Sequence, residues 1–185
     1  MGLDRRVHRS REAVLGATFE LLTESGLGGV SVDEVSRRSG VAKTTIYRHW
    51  DTRSDLILDA CARISADQEA PDTGSFEGDA TALLTGIARL LRTANWSSVV
   101  PSIVDAAERD PEVAAIHGRI QRGHTAPLRE IIGRAVRNGE LPPDTDASAM
   151  TAALVGPLFY RRWFSREPIG EDFVRSTVRT VIGGR

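Results

Sequence analysis

The chain has 185 residues, of which 41% are hydrophobic, a formal net charge of −1 and a single cysteine. This length suits one large domain or two small ones, and one cysteine excludes both a disulfide scaffold and a thiolate-rich zinc site. The longest nearly apolar run, at 152–160, contains Gly156 and Pro157 and is about half of the ~20 residues that a membrane span requires. No apolar stretch follows the first six residues, and Arg6 stands where a myristoylation signal needs Ser or Thr. We therefore expect a cytoplasmic protein with no membrane partner.

Apolar residues recur at intervals of three and four along nearly the whole chain, and no stretch alternates in the manner of a strand, so the pattern predicts an all-α fold. A first helix over about 10–24 ends at Ser25-Gly26. The sequence Ser31-Val32-Asp33-Glu34 predicts a capping box, in which the Ser31 hydroxyl accepts a helical amide and Glu34 reaches back to the cap amide. A short second helix over 32–39, a turn at Gly40 and a third helix of about two turns follow.

Later elements are bounded by turn residues. Thr52 and Asp55 form a weaker capping box for a fourth helix over about 53–69, and a loop follows at 71–78. The remaining predicted helices cover about 76–96, 98–108, 111–138, 146–165 and 171–182. Asn138-Gly139 and Pro142-Pro143 mark a strong stop, and Pro127 is expected to kink or divide the long helix.

The segment 31–50, SVDEVSRRSGVAKTTIYRHW, has the layout of a helix-turn-helix. Val35, Val41, Ile46 and Trp50 can form the packed seam between the two short helices. The exposed face of the third helix then carries only hydrogen-bond donors and polar groups: Lys43, Thr44, Thr45, Tyr47, Arg48 and His49. Arg48 is suited to guanine, and Thr45 to a thymine methyl group or a phosphate. Phosphate contacts are predicted for Arg5, Arg6, Arg9, Arg11, Arg37 and Arg53.

Spacing alone leaves two interpretations open, since helical corners with a glycine turn also occur in proteins that do not bind DNA. Residues 10–56, however, resemble the N-terminal domain of the TetR family of transcriptional regulators. The motifs that carry the resemblance are the helix end at Gly26, the cap at Ser31, Gly40-Val41, Thr45-Ile46-Tyr47, His49-Trp50, Arg53 and Leu56. The resemblance implies a three-helix DNA-binding domain at 1–54 and a larger helical domain at 55–185 that dimerises and holds a ligand.

Two positions depart from the family's pattern. Ala42 stands where many relatives have a capping Ser, so the third helix lacks a side-chain cap, typically worth ~1 kcal/mol. Asp51 introduces an acid between Trp50 and Arg53, which puts a phosphate contact at that point in doubt.

The two last helices are the predicted dimer interface, because the helix over 146–165 is apolar nearly all round and needs cover on two sides. The resemblance implies a four-helix bundle across a twofold axis. A monomeric core that uses both helices is the alternative. The residues assigned to the interface are Met150, Ala153, Leu154, Pro157, Leu158, Phe173, Thr177, Val178 and Val181.

An apolar stripe on the long helix includes a histidine, His124. One interpretation makes it a satisfied core residue. The other places it in an effector pocket, because small-molecule sites combine apolar walls with a few convergent polar groups. The pocket would be lined by Trp96, Ile103, His117, Ile120, Gln121, His124, Phe159 and Trp163.

Enzymatic chemistry finds no support in the sequence. HExxH, GxSxG, GxGxxG and the phosphate-binding loop are all absent. Cys61 is expected to be a small buried residue. His117 and His124 are seven positions apart, roughly 10 Å along a helix and too far to share a metal ion. We expect no metal and no cofactor.

The sequence therefore favours a homodimeric DNA-binding regulator. It would most simply be a repressor that a small-molecule effector releases from a palindromic operator. Two alternatives stay open: a DNA-binding regulator without an effector, and a small helical enzyme or carrier that shares only the N-terminal layout.

Overall fold

The computed structural model describes residues 2–65, 69–92 and 94–183, with side chains at 7–61, 69–92, 100–111 and 113–183. The described residues contain helices and no strand, so the predicted all-α fold is confirmed. The α-helices are α1 (Gly2–Ser25), α2 (Val32–Ser39), α3 (Lys43–Tyr47), α4 (Arg53–Ser65), α5 (Phe76–Arg92), α6 (Ala94–Ala107), α7 (Pro111–Arg137), α8 (Ala147–Phe159) and α9 (Glu171–Gly183). A 3-10 turn (Leu27–Gly29) follows α1, and a π-helical segment (Tyr160–Ser165) continues α8.

Most predicted boundaries agree with the structure, and the differences have physical reasons. The α1 helix begins at Gly2 rather than near Ser10, because residues 2–9 contain no proline and no turn signal, although they lack an apolar stripe. The α7 helix is not divided at Pro127. The predicted helix over 53–69 is too long, since Glu69 is not helical, and residues 66–68 lie outside the described range.

The caps confirm one half of the predicted capping box. Ser31 Oγ accepts a hydrogen bond from the Glu34 amide at 3.1 Å, and Gly40 ends α2 in the left-handed conformation at φ 69°. The Glu34 carboxylate, however, accepts from Arg37 Nε at 2.9 Å. The reciprocal bond from Glu34 to the cap amide is therefore replaced by a pair with Arg37.

The contacts divide the chain into two compact units, and the first comprises Met1–Asp67 and Ser98–Gly123. Its core is made by α1, α2, α3 and α4 together with apolar residues from α6 and α7, among them Ile103, Val113, Ile116 and Ile120. This unit differs in extent from the predicted domain at 1–54, since it includes α4 and parts of α6 and α7. The assignment of DNA binding to residues 1–54 and of effector binding and dimerisation to residues 55–185 stays a prediction.

The second unit comprises Gln68–Ser97 and His124–Arg185. Within it α5 packs against α8 and α9, around fully buried leucines such as Leu84, Leu154 and Leu158. The buried carboxylate of Asp79 accepts from the Thr73 amide at 2.6 Å and from Arg134 Nη2 at 2.6 Å. Burial favours a raised pKa for Asp79, but the bonds from Thr73 and Arg134 outweigh it and hold the pKa below its usual range.

Candidate nucleic-acid interface

The short helix α3 is held by its neighbours rather than by its own length. Five residues are too few for a stable isolated helix, and Ala42 at its N-cap provides no side-chain bond, as the sequence predicts. Ile46 is 1% exposed and Trp50 5% exposed, and both lie in the same core as the fully buried Val35 of α2. Truncating Ile46 to Ala would cost about 2 to 5 kcal/mol of folding free energy. The packed seam therefore fixes α3 on α2.

The opposite face of α3 is open to solvent. Lys43, Thr44, Tyr47, Arg48 and His49 are exposed, Tyr47 to 53%, and Thr45 is half-buried. Aromatic residues are usually largely buried in a folded protein. A tyrosine exposed to this extent is therefore typical of a surface that binds a partner. The face predicted for DNA contact is thus accessible, and its contact with bases remains a prediction.

A carboxylate from α2 lies beside this face. Asp33 contacts the Nζ of Lys43, and the two side chains are 72% and 56% exposed. The outward positions of α3 are free of acids, as the sequence indicates, but α2 brings an acid to the edge of this face. Only the packing of α2 on α3 places Asp33 there.

Arg53 makes two contacts within the fold that the sequence does not predict, and its phosphate contact stays a prediction. Its Nε donates to the Val30 carbonyl at 2.6 Å, and its Nη2 donates to the Leu27 carbonyl. These carbonyls belong to the turn after α1, so Arg53 fastens the start of α4 to that turn. The geometry favours this structural role, because two of the guanidinium donors are already used.

The other predicted phosphate-binding arginines differ in their surroundings. Arg9 is exposed, and Arg37 is exposed beside Glu34, whose pKa it lowers through a hydrogen bond. Arg11 Nη2 donates to the Asp59 carboxylate at 2.7 Å. The side chains of Arg5 and Arg6 lie outside the described residues. Arg9, Arg11 and Arg37 all keep the exposure that phosphate contact requires, although Arg11 and Arg37 each already pair with a carboxylate.

Asp59 of α4 joins the helix-turn-helix to its supporting helices. Its Oδ2 accepts from the Trp50 indole Nε1 at 2.9 Å and from Arg11 Nη2 at 2.7 Å. One carboxylate thus connects α1, α4 and the residue that closes α3. No sequence motif indicates this contact. The sequence does predict that a helix begins between Trp50 and Asp59, but it does not show that the two side chains meet.

The predicted effector-pocket residues belong to two different cores. Ile103 and Ile120 are buried in the first unit, and the half-buried His117 and Gln121 lie on the part of α7 in that unit. The second unit holds His124, Phe159 and Trp163, with the two rings of Phe159 and Trp163 in edge contact at 5.0 Å. The side chain of Trp96 lies outside the described residues.

The polar atom of interest among them is His117 Nε2. It is buried and has no hydrogen-bond partner among the described residues. Leaving a buried polar atom without a partner is costly, and such atoms in folded proteins usually bind a water molecule or a ligand.

Several residues assigned to the dimer interface are buried within one protomer, so their assignment is corrected. Leu154, Leu158 and Val178 have no exposed area, and Thr177 is 7% exposed. Such side chains are already covered by their own core and offer a partner no apolar area. Met150, Pro157, Phe173 and Val181 are half-buried, and Ala153 is exposed.

A different stripe of α8 is exposed. It consists of Ala149, Ala152, Ala153, Gly156, Tyr160 and Phe164, spaced by three and four residues. Tyr160 is 60% exposed and Phe164 75% exposed, and their rings stack at 5.8 Å. The intervals place all six residues on one side of α8 and its continuation, which is called the α8 face below.

Other kinds of site find little support in the described part of the chain. It contains no group of three or more His, Cys, Asp or Glu side chains arranged to hold a metal ion. None of its helices is long and apolar enough to cross a membrane. Cys61 is buried, as predicted, and burial raises the pKa of its thiol to about 12. A thiol of that pKa is a poor nucleophile at neutral pH.

Comparison with known proteins covers both halves of the chain. Residues 14–60 match the family model described as bacterial regulatory proteins, tetR family, and residues 70–181 match the one described as tetracyclin repressor-like, C-terminal domain. The HTH-type transcriptional regulator AqdR of Rhodococcus erythropolis is 32% identical over 149 residues, which cover 80% of this chain and 72% of AqdR.

Two further similarities extend over nearly the full length. The DNA-binding transcriptional repressor TetR of Mycobacteroides abscessus is 28% identical over 174 residues, which cover 92% of this chain and 90% of that protein. The crystal structure of the TetR family transcription regulator SCO0332 superposes with a TM-score of 0.77 at 28% identity, over 95% of this chain and 98% of that one.

Proposed function

The chain belongs to the TetR family of transcriptional regulators, and on that basis we propose that it represses transcription in the cytoplasm as a homodimer on a palindromic operator, from which a small molecule releases it. It is a DNA-binding regulator rather than an enzyme. The observation that carries the proposal is the exposed basic and aromatic face of α3, held rigidly by Ile46 and Trp50.

Base recognition is assigned to the solvent side of α3. Its exposed guanidinium, Arg48, can address guanine O6 and N7 in the major groove, while Thr45 can contact a thymine methyl group. Lys43 together with Arg9 and Arg37 would contact phosphates and set the register of the helix on the duplex. Tyr47 and His49 complete the polar face. Likeness to a relative described as a repressor supports the proposed sign of regulation.

Dimerisation is assigned to the α8 face. Alanines and a glycine let two helices approach closely, and the stacked Tyr160 and Phe164 supply apolar area that stays exposed in the protomer. We call the helix-turn-helix of one protomer, residues 31–50, its reading head. Two reading heads about 34 Å apart, or a multiple of that distance, would match successive major-groove faces. This spacing is why a palindromic operator is proposed.

The dimer proposal is tested with Ala153→Glu, which places a charge on the α8 face without disturbing the core. Sedimentation should show a monomer for this variant and a dimer for the native chain. Ala82→Glu, at an exposed position of α5, is the matched control and should remain dimeric. A dimeric Ala153→Glu protein would show that another surface is used.

Effector binding is assigned to the neighbourhood of His117, because its buried Nε2 lacks a partner among the described residues. A ligand acceptor or donor there would satisfy an atom that otherwise destabilises the fold. Since His117 lies in the same compact unit as α3 and α4, a shift of α7 at that point can reach the reading head within one core. A coupling of about 1 to 3 kcal/mol would lower operator affinity roughly 5- to 150-fold.

The function is tested by measuring binding to the DNA upstream of the chain's own gene and to random DNA at about 150 mM salt. We expect the upstream DNA to bind more tightly by about three orders of magnitude or more. A variant carrying Tyr47→Ala and Arg48→Ala should lose that preference. Equal affinity for both DNAs in the native protein would overturn the proposal.

A further inference from the structure

An open cleft lies in the second compact unit, where the π-helical segment after α8 turns toward α9. It has a volume of about 360 Å³ and is lined by Leu91, Arg92, Arg161, Arg162, Arg166, Glu167, Pro168, Ile169 and Gly170. All of these residues belong to one unit. The volume lies at the lower end of the range of pockets that hold small molecules. We call this site the arginine cleft.

The charge of the arginine cleft is strongly one-sided. Four arginines and one glutamate line it, so the lining side chains carry a formal net charge of +3. Glu167 is committed to Arg161, whose Nη2 lies 3.1 Å from its carboxylate. Among the described residues, neither Arg92 nor Arg166 forms an ion pair. A chain with a net charge of −1 therefore concentrates positive charge at one concave site.

One of the four arginines is fixed in place and supports the cleft. Arg161 Nη1 donates to the Pro168 carbonyl at 2.8 Å, and its guanidinium lies 3.5 Å from the centre of the Phe173 ring. Arg92 Nη1 makes a longer contact of 3.4 Å with the Ile169 carbonyl across the cleft. These contacts hold the loop 166–170 against the ends of α5 and α8. The wall is thus preorganised before any ligand arrives.

The backbone at Arg166 adds an independent indication of a ligand site. Arg166 has φ 59°, and no other non-glycine residue in the described ranges has a positive φ. Glycine adopts this conformation without strain and asparagine with little, whereas arginine is strained in it. The residue directly follows the π-helical segment, and such segments often occur at functional sites. Arg166 is the C-cap of this segment, and non-glycine residues held in the left-handed region cluster at ligand-binding positions.

From the cavity, its charge and the backbone at Arg166 we infer that the arginine cleft binds a phosphorylated small molecule. Guanidinium groups match phosphate oxygens in paired hydrogen bonds, and several of them around one cavity suit a diphosphate or two separate phosphate groups. Leu91, Pro168 and Ile169 supply apolar wall for the organic part of the ligand. This inference goes beyond the proposed effector site at His117 and does not depend on it.

A small molecule fits the site better than DNA does. The cleft is concave and includes apolar side chains, as small-molecule sites do, whereas contacts to the DNA backbone are made by cationic and polar donors and need no apolar wall. The arginines assigned to operator phosphates, Arg9 and Arg37, lie in the other compact unit. DNA backbone binding at the cleft is therefore treated as an outcome of the test.

The experiment is calorimetric titration of the full-length protein with inorganic pyrophosphate at constant ionic strength. We expect one saturable site per protomer. A variant with Arg92→Gln and Arg166→Gly should bind about tenfold or more weakly, because a single charge-assisted hydrogen bond to phosphate is worth roughly that factor. The matched control is Arg129→Gln with Arg175→Gln, which removes two exposed arginines of the same unit from outside the cleft. It should bind within about twofold of the native protein.

The single change Arg166→Gly separates binding from folding. Glycine relieves the positive φ, so the melting temperature of the ligand-free protein should stay the same or rise while pyrophosphate affinity falls. Operator affinity without ligand should be unchanged. Absence of a saturable site in the native protein would overturn the inference, as would equal weakening in the control variant. A fall in operator affinity for Arg166→Gly would assign the cleft to DNA instead.

Discussion

The contact between Asp33 and Lys43 gives a quantitative test of how α3 approaches DNA. Both side chains are largely exposed, so the pair itself is worth only about 0.2 to 1 kcal/mol. A DNA phosphate can therefore displace Asp33 as the partner of Lys43, but the carboxylate stays nearby and opposes it. Asp33→Asn should tighten binding to DNA of any sequence by about 1.4- to 5-fold per reading head, or roughly 2- to 30-fold for a dimer.

The assay is fluorescence anisotropy of labelled duplexes over a range of about 50 to 200 mM salt. Asp33→Asn should steepen the slope of log K against log salt by up to about 0.9 per head, because Lys43 then acts with its full charge. Lys43→Ala should have the opposite effect and lower the slope by about one unit. Operator and random duplexes should respond alike, since phosphate contacts carry no sequence information.

The matched control is Asp105→Asn, which removes another exposed acid of the same compact unit, paired with Arg109 at 2.6 Å. It should leave affinity and salt slope unchanged. Asp33 also lies in the first turn of α2, where an acid adds about 0.3 to 1 kcal/mol of helix stability, so a thermal melt must accompany the binding data. A folded Asp33→Asn protein with unaltered affinity and slope would refute the placement of Lys43 at a phosphate.

Substitutions at Arg48, Asp59 and Asp79 test base recognition and the two carboxylate contacts. Arg48→Ala should lose about 1 to 3 kcal/mol of discrimination at one base pair of the operator while random DNA binds almost as before, as base-by-base substitution of the operator would reveal. Asp59→Asn should lower the free energy of unfolding in urea by roughly 1 to 1.5 kcal/mol, because the acceptor shared by Trp50 and Arg11 loses its charge at a partly exposed site. Asp79→Asn should lower the free energy of unfolding in urea by about 1.5 to 3 kcal/mol. The variant's stability should also fall less steeply than that of the native protein as the pH is lowered. The pKa of Asp79 is lower in the folded state, so its contribution is complete above the unfolded value of 3.8 and is lost as the pH falls through the folded value.

The reading head could be predicted largely from sequence because its signals are local. The cap at Ser31, the left-handed Gly40 and the four-residue interval from Ile46 to Trp50 each depend on a few neighbouring residues, and the structure has them as predicted. The contacts that involve distant residues cannot be predicted in this way. Those of Arg53 are an example, because nothing in the sequence places the Leu27 and Val30 carbonyls within its reach.

The same limit explains the corrected dimer residues. A helix that is apolar nearly all round gives no indication of which side faces its own core, so the sequence does not show that Leu154 and Leu158 are buried within the protomer. The exposed side consists largely of alanine and glycine. These residues are only weakly hydrophobic, so a hydrophobicity pattern does not single them out as an interface. The predicted pocket lining likewise needs the helix contacts, because Ile103 and Phe159 enter different cores.

The central claim is that the exposed face of α3 reads DNA sequence, and selection from a random pool of duplexes tests it most directly. The native protein should enrich an inverted repeat whose half-sites are separated by about one helical turn of DNA or a multiple of it. The variant with Tyr47→Ala and Arg48→Ala, folded by circular dichroism, should enrich no such motif. Recovery of the same motif by both proteins, or of none by the native protein, would contradict the assignment of this face to the major groove.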